Sequence, residues 1–355
     1  MKRNLTGWGA TAVLICFLAS GYAQSAQEQA ALSLHEEGRA DVARGDYAQA
    51  ERAFGEALVI WRSLGPRYEA HTASTLITLG EALHQAGKLN EGQSALEEAL
   101  LLNRRSLGPK HARTVMNLDS LCHAYQFVGE LQRAEATCAE ALVLERELYP
   151  DLVGRTLLGV SLLRRRQGRF DEALEAGEES LRQSLEAKGE ASMDAAVAYE
   201  NVAALHLQAG HFVRAIPLFR KARFLYERLL GPTSSLLASV ISEEGLALLE
   251  DGQLRQAEIN MAQSVGMLAE TGPSDEFRRA AAETNLGLLR LRQKKVAESE
   301  RLLTHALNVQ DRMKTAPKHN FAATLRALAQ VRKVQHRDTE SAELMARAAA
   351  IDVLR

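Results

Sequence analysis

A chain of 355 residues is long enough for two ordinary domains, or for one continuous body if it is built from repeats. Aromatic residues make up 5% of it, and the abundance of alanine, leucine, glutamate and arginine favours helix and leaves little material for strands. A formal charge of −2 argues against a general nucleic-acid binder.

The first stretch reads as an address. Lys2 and Arg3 form a short positive region, an apolar run over 10–19 follows Gly9, and Gly21-Tyr22-Ala23 offers small residues to a signal peptidase. Residues 1–23 are therefore expected to be a signal peptide cleaved after Ala23. An apolar core of about 10 residues is too short to span a bilayer, and no later segment is apolar enough to hold the chain in one. Ile15 stands before Cys16 where a lipobox needs a small residue, which argues against a lipoprotein. These features point to a secreted protein, with a bacterial periplasm as its destination.

Over residues 24–355 the glycines set a period. Gly45, Gly87, Gly129, Gly168, Gly210 and Gly252 are separated by 42, 42, 39, 42 and 42 residues, and two more steps of 42 reach Lys294 and His336. Seven residues before these markers stand Gly38, Gly80, Cys122, Ser161, Ala203, Gly245, Gly287 and Ala329, all small. The physical reason for such a run is a close approach of two helix backbones once in every unit.

The segment after each marker has its own signature. Five residues on come Ala50, Gly92, Ala134, Ala173, Ala215, Ala257, Ser299 and Ser341, again small. Nine on come the mostly bulky Phe54, Leu96, Cys138, Gly177, Phe219, Met261, Leu303 and Met345, and twelve on Ala57, Ala99, Ala141, Ser180, Ala222, Ser264, Ala306 and Ala348. Steps of four and three put these residues on one helix face, which must pack on the first helix of its own and the next unit.

Between units the chain turns at Leu64-Gly65-Pro66, Leu107-Gly108-Pro109, Leu148-Tyr149-Pro150, Leu230-Gly231-Pro232, Thr271-Gly272-Pro273 and Thr315-Ala316-Pro317. The remaining proline, Pro217, falls near the start of a second helix, where its missing amide hydrogen costs little. Eight repeats result, at about 27–66, 67–109, 110–150, 151–190, 191–232, 233–273, 274–317 and 318–355. The fourth starts three residues early, lacks the Leu-Gly-Pro turn and carries Gly159 and Gly177 inside its helices. Either it has drifted within a tolerant repeat, or it changes the superhelical pitch locally.

Leu107-Gly108-Pro109-Lys110-His111, the run from Gly210 to Phe219 with Ala215-x-Pro217-Leu218-Phe219, and the small/bulky register resemble the tetratricopeptide repeat superfamily. The likeness is to the 42-residue form found in kinesin light chains and many bacterial proteins, over about residues 27–353. It implies an all-α fold, a right-handed α-solenoid of about eight antiparallel helix-pair repeats, acting as a protein-binding scaffold. It also implies that the first helix of each unit lines a concave groove. Groove-facing positions then fall on Arg155, Arg165 and Arg166 in the fourth unit, and on His84, Gln85, His123, Gln126, Asn201, Gln208, Asn285 and Arg292 in its neighbours. Asn201 and Asn285 match the asparagine that holds a peptide backbone in the family, an amide being both donor and acceptor; the other six units lack it.

Arg164-Arg165-Arg166 admits two readings: a solvated helix end, where cations are mildly favoured, or a bidentate clamp for a carboxylate. Charge is uneven too. Residues 277–355 hold 16 Lys and Arg against 8 Asp and Glu, whereas 24–276 hold 25 against 37, so the ends differ in sign. That difference can steer partners or promote head-to-tail contact, although ordinary solvated helix faces account for much of it. Cys122 and Cys138 take paired packing positions of the third unit; buried free thiols are the default there, with a disulfide as the alternative in an oxidising compartment.

Motifs of chemistry are missing from the sequence. It has no Cys-x-x-Cys, His-Glu-x-x-His, phosphate-cradling loop, Gly-x-Ser-x-Gly elbow or dinucleotide fingerprint, so neither metal, cofactor nor catalysis is expected. Adjacent glutamates such as Glu178-Glu179 and Glu243-Glu244 read as solvated faces. Two functions remain. One is an interaction module that takes a peptide segment or subunit of an envelope or secreted assembly in its groove, as a monomer. The other is a structural spacer that works by weak self-association or by stacking on another chain's domain.

Overall fold

In the computed structural model the described residues are 7–272, 275–312 and 318–353, with side chains described over 24–272, 275–312 and 321–351. The side chains of the expected leader, 1–23, and the turns at Pro273 and Thr315-Ala316-Pro317 lie outside them. The described backbone is an all-α solenoid of helix pairs: α1 (Gly7–Arg44), α2 (Tyr47–Ser63), α3 (Glu69–Gln85), α4 (Leu89–Ser106), α5 (Ala112–Val128), α6 (Leu131–Leu148), α7 (Val153–Arg166) and α8 (Phe170–Lys188). These are followed by α9 (Met193–Gln208), α10 (Phe212–Leu230), α11 (Ser235–Glu250), α12 (Leu254–Ala269), α13 (Glu276–Arg292), α14 (Val296–Arg312), α15 (Lys318–Val334) and α16 (Asp338–Val353). The backbone between the leader and the first repeat is continuous helix, so no break marks the expected cleavage point.

The chain divides into an N-terminal unit, Met1–Leu144, and a C-terminal unit, Glu145–Arg355. Within the C-terminal unit each second helix packs on its own first helix and on the next one, and the first helices α7, α9, α11, α13 and α15 also touch one another in sequence. In the N-terminal unit α1, α3 and α5 do the same. First helices that meet side by side line the inner face of each unit.

The marker positions explain the period. Gly45, Gly87, Gly129, Gly168, Gly210 and Gly252 all have positive φ, which lets the chain reverse between the paired helices. Lys294 and His336 adopt the same conformation, at φ 61° and 59°, although an L side chain disfavours it. The extrapolation from glycine spacing therefore located the turn of the last two pairs. In the fourth linker Gly189 takes φ 77° and ψ 169°, close to the 84° and 171° of Gly231. The turn is kept there, with Glu190 in the place of proline.

The small and bulky positions meet as a ball in a socket. A Cβ on Gly38 would lie 2.7 Å from the Phe54 ring, and one on Gly80, Gly245 or Gly287 would lie 2.8 Å from Leu96, Met261 or Leu303. The small residue thus admits the bulky one nine after the marker, and those four side chains are completely buried. Met345 is the exception and is exposed. In the third pair the same two positions are Cys122 and Cys138, joined by a disulfide with Cα atoms 5.2 Å apart. Of the two readings the sequence left open, the bridge is the one that holds.

The fourth pair departs because both of its positions are small. Ser161 and Gly177 leave a gap, which Asn201 fills from the next pair: a Cβ on Gly177 would be 3.1 Å from Ser161 Oγ and 3.3 Å from Asn201 Nδ2. Serine ties the helices of a pair together in the fourth and sixth repeats. Ser180 and Ser264, twelve after their markers, each donate at 2.6 Å to a first-helix carbonyl, that of Gly154 and that of Ala238.

Candidate functional site

On the inner face of the C-terminal unit the expected groove residues fall into two sets. Arg155, Arg166, Gln208 and Arg292 are exposed, and Arg165 is half-buried. Arg292 Nη2 lies 3.5 Å from Glu250 of the preceding pair, and the three arginines of the fourth pair all interact within the protein. Arg164 points elsewhere: it donates to Gln167 at 2.9 Å and lies 3.7 Å from Glu172, so the first arginine of the run holds its own helix pair together.

The two asparagines do a different job from the one expected. Asn201 is buried and its Nδ2 donates to Ser161 Oγ at 3.0 Å, while Asn285 Nδ2 donates to Ser242 Oγ at 3.0 Å. Their donors join adjacent repeats rather than standing ready for a peptide backbone. The reason is the gap above Gly177 in the first case, and the serine facing Asn285 in the second.

In the N-terminal unit His84 is half-buried against α4, the second helix of its own pair, with its Nε2 3.2 Å from the carbonyl of Leu89 and its ring beside Gly92. Burial holds its pKa below the ordinary imidazole value. Gln85 accepts from the Tyr47 hydroxyl at 3.1 Å. His123 Nε2 lies 3.7 Å from the buried Asp119, and Gln126 is buried with Nε2 3.5 Å from Cys122 Sγ. Gln126 is thus part of the packing around the disulfide and not a surface contact.

The C-terminal unit holds a pair of acids that sequence reasoning missed. Glu200 of α9 and Glu243 of α11 are 43 residues apart, the separation at which Ser242 and Asn285 meet across α11 and α13. Glu200 accepts from the Tyr226 hydroxyl. Glu243 Oε2 is buried, with no hydrogen-bond partner among the described residues. Burial, and then the neighbouring Glu200 charge, push the Glu243 carboxyl up to about 8 against the opposing pull of Arg165. Burial raises Glu200 as well, with the Tyr226 hydroxyl and Arg278 pulling the other way. Such a pair retains a proton near neutral pH.

Glu244, next in sequence, is 2% exposed and receives Arg220 at 3.1 Å and Arg223 at 3.3 Å from α10. The expectation that Glu243-Glu244 marks a solvated face is therefore wrong. Adjacent residues diverge by about 100° on a helix, and here the two directions are a neighbouring first helix and a neighbouring second helix, both occupied. Only the 43-residue spacing, read against Ser242 and Asn285, could have signalled the Glu200–Glu243 pairing. Among the described residues no group of three or more His, Cys, Asp or Glu could hold a metal ion.

Family models described as tetratricopeptide repeat match residues 71–136 and 195–235. A comparison with curated proteins gives no match. Among solved structures, BtubC (BKLC) from P. vanneervenii is similar at TM-score 0.55 and 24% identity, over 63% of this chain and 92% of that one. The apo form of RapI gives TM-score 0.62 at 16% identity, over 79% and 97% respectively. The apo form of the quorum sensor NprR from B. thuringiensis gives 0.66 at 14%, over 91% and 88%. At these identities the likeness is one of fold. The two matched segments are tetratricopeptide repeats, and the helix pairs with their 42-residue register are similar to that repeat along the rest of the described residues.

Proposed function

We propose that the chain is a non-enzymatic scaffold whose inner face binds an acidic peptide segment, or a subunit, of an envelope or secreted complex. The observation that carries this reading is the set of exposed polar side chains on three of the first helices, Arg155 and Arg166 on α7, Gln208 on α9 and Arg292 on α13. Guanidinium groups suit carboxylates because their paired N–H groups match carboxylate geometry. Rigid helices hold these groups before a partner arrives, so little entropy is lost on binding. Export to the periplasm is part of the proposal. The leader of Lys2, Arg3 and the apolar run supports it, and so does the Cys122–Cys138 bridge, since disulfides persist in oxidising compartments.

A pull-down from envelope and secreted extract, eluted by rising salt, tests the reading. One dominant partner that is lost when Arg155 and Arg166 are both changed to glutamate supports a groove-binding scaffold. Capture of further copies of the bait, unaffected by those changes, supports the structural spacer instead.

A further inference from the structure

A second concavity, of about 340 Å³, lies in the C-terminal unit between the α8–α9 linker and one side of α10. That size is at the low end for small-molecule sites and fits one amino-acid residue or a small acid. Its floor is apolar, made by Phe224, Leu225 and the ring of Tyr199, and Phe224 is 55% exposed, whereas Phe219 and Tyr226 of the same helix are buried.

The rim is cationic in excess. Arg220 is taken by Glu244 at 3.1 Å, and Glu244 also receives Arg223, so one carboxylate serves two guanidinium groups. Lys221 donates to the Tyr199 hydroxyl at 3.2 Å, sits 4.9 Å from the centre of that ring, and has Glu190 at 3.7 Å. The Arg228 guanidinium lies 5.6 Å from the centre of the Phe224 ring, and among the described residues no carboxylate comes within ion-pair distance of it. Two aromatic faces thus carry two cations at the edge of an apolar hollow.

We propose that this pocket binds a small amphipathic carboxylate, with an apolar or aromatic body on Phe224 and Leu225 and the carboxylate met by Arg228 and Lys221. Charge complementarity selects the anion: the apolar floor accepts a ring or branched chain, and the cations at its mouth would be left poorly satisfied by an amide or a cation. Lys221 can exchange its 3.7 Å contact with Glu190 for the ligand without leaving Tyr199. The linker favours access, because Glu190 and Ala191 follow Gly189 where other linkers continue into proline. The site is separate from the inner face and does not depend on the function proposed for it.

Isothermal titration of the full chain tests it, with N-acetyl-phenylalanine, its primary amide, and a short peptide ending in phenylalanine with a free or amidated C-terminus. The acid should bind at least ~10-fold more tightly than the amide, the scale of one charge-assisted contact. Arg228→Gln should abolish that preference, Phe224→Ser should weaken acid and amide alike, and Arg166→Glu should change neither. A free-terminus peptide that binds as well as the acid identifies a chain terminus as the source; binding of the acid alone identifies a small metabolite. Equal affinity for acid and amide, absence of binding by all four probes, or retention of the preference in a folded Arg228→Gln variant overturns the proposal. Helical circular dichroism and melting of each variant establish that it is folded.

Discussion

Glu243→Gln should stabilise the protein at alkaline pH and leave it unchanged in acid. The carboxyl has its ordinary value of 4.5 in the unfolded chain and about 8 in the folded one. Below 4.5 both states hold the proton, and the group has no effect on stability. Between the two values the unfolded chain releases the proton while the folded protein keeps it, so stability falls by about 1.4 kcal/mol per pH unit. Above about 8 the penalty is constant. Its ceiling is roughly 5 kcal/mol, and relaxation around Arg165 and Glu200 brings the expected value down to a few.

Glutamine keeps the shape of a protonated glutamate and cannot ionise. Urea melts of parent and variant from pH 4 to 9 give the difference directly, and other carboxylates, which titrate in both proteins, cancel. The difference should open through the window from 4.5 to 8, with the variant ahead, and then level off. Two parallel curves would show that Glu243 titrates alike in both states and would refute the geometry of the pair. A variant less stable throughout would show that the carboxylate, and not the acid, is the folded form.

Other perturbations follow from the same packing. A Cβ on Gly92 would meet the Gly80 carbonyl oxygen at 2.7 Å and His84 at 2.6 Å, whereas one on Gly55 meets nothing within 4 Å. In thermal melts Gly92→Ala should therefore lose about 2 kcal/mol and Gly55→Ala gain up to ~1 kcal/mol. Lys294→Gly and His336→Gly should each stabilise by ~0.5–1 kcal/mol, since glycine removes the left-handed strain at a cost in unfolded-state entropy; urea midpoints would show it. Cys122 and Cys138 close a loop over a sequence separation of 16, so reduction, or substitution of both by alanine, should cost about 3 kcal/mol in melts with and without dithiothreitol.

The fold was legible because each repeat states the same physical requirement again. A small residue seven before the marker and a bulky one nine after it define one socket, and its recurrence in most of the repeats outweighs the ambiguity of any single helix. Even Lys294 and His336, which lack the expected glycine, were located by spacing alone. The inner face was less legible. Arg155, Arg166, Gln208 and Arg292 are exposed on their helices, since the register fixes helix face. Whether an amide is free or engaged depends on what stands opposite in the next repeat, as with Asn201 over Gly177 and Asn285 against Ser242. The half-buried acid pair was hidden for the same reason. Glutamate signals solvent when its helix is read alone, and only contact across two repeats makes Glu200 and Glu243 neighbours.

These departures share a location. In a solenoid the recurring residues carry the stacking, so a position that abandons the pattern gives up some stability and is free to serve something else. The fourth pair gives up its bulky residue for Gly177, and α7 ends in three arginines. The fifth recruits Asn201 to close the resulting gap and places Glu200 beside Glu243 of the sixth. A protein selected only as a spacer would gain from repairing these sites, and Glu243 in particular, because a neutral side chain there removes a penalty at no cost in packing. Their concentration in the fourth to sixth pairs, which also carry Arg155, Arg166 and Gln208, favours a binding face over a passive stack.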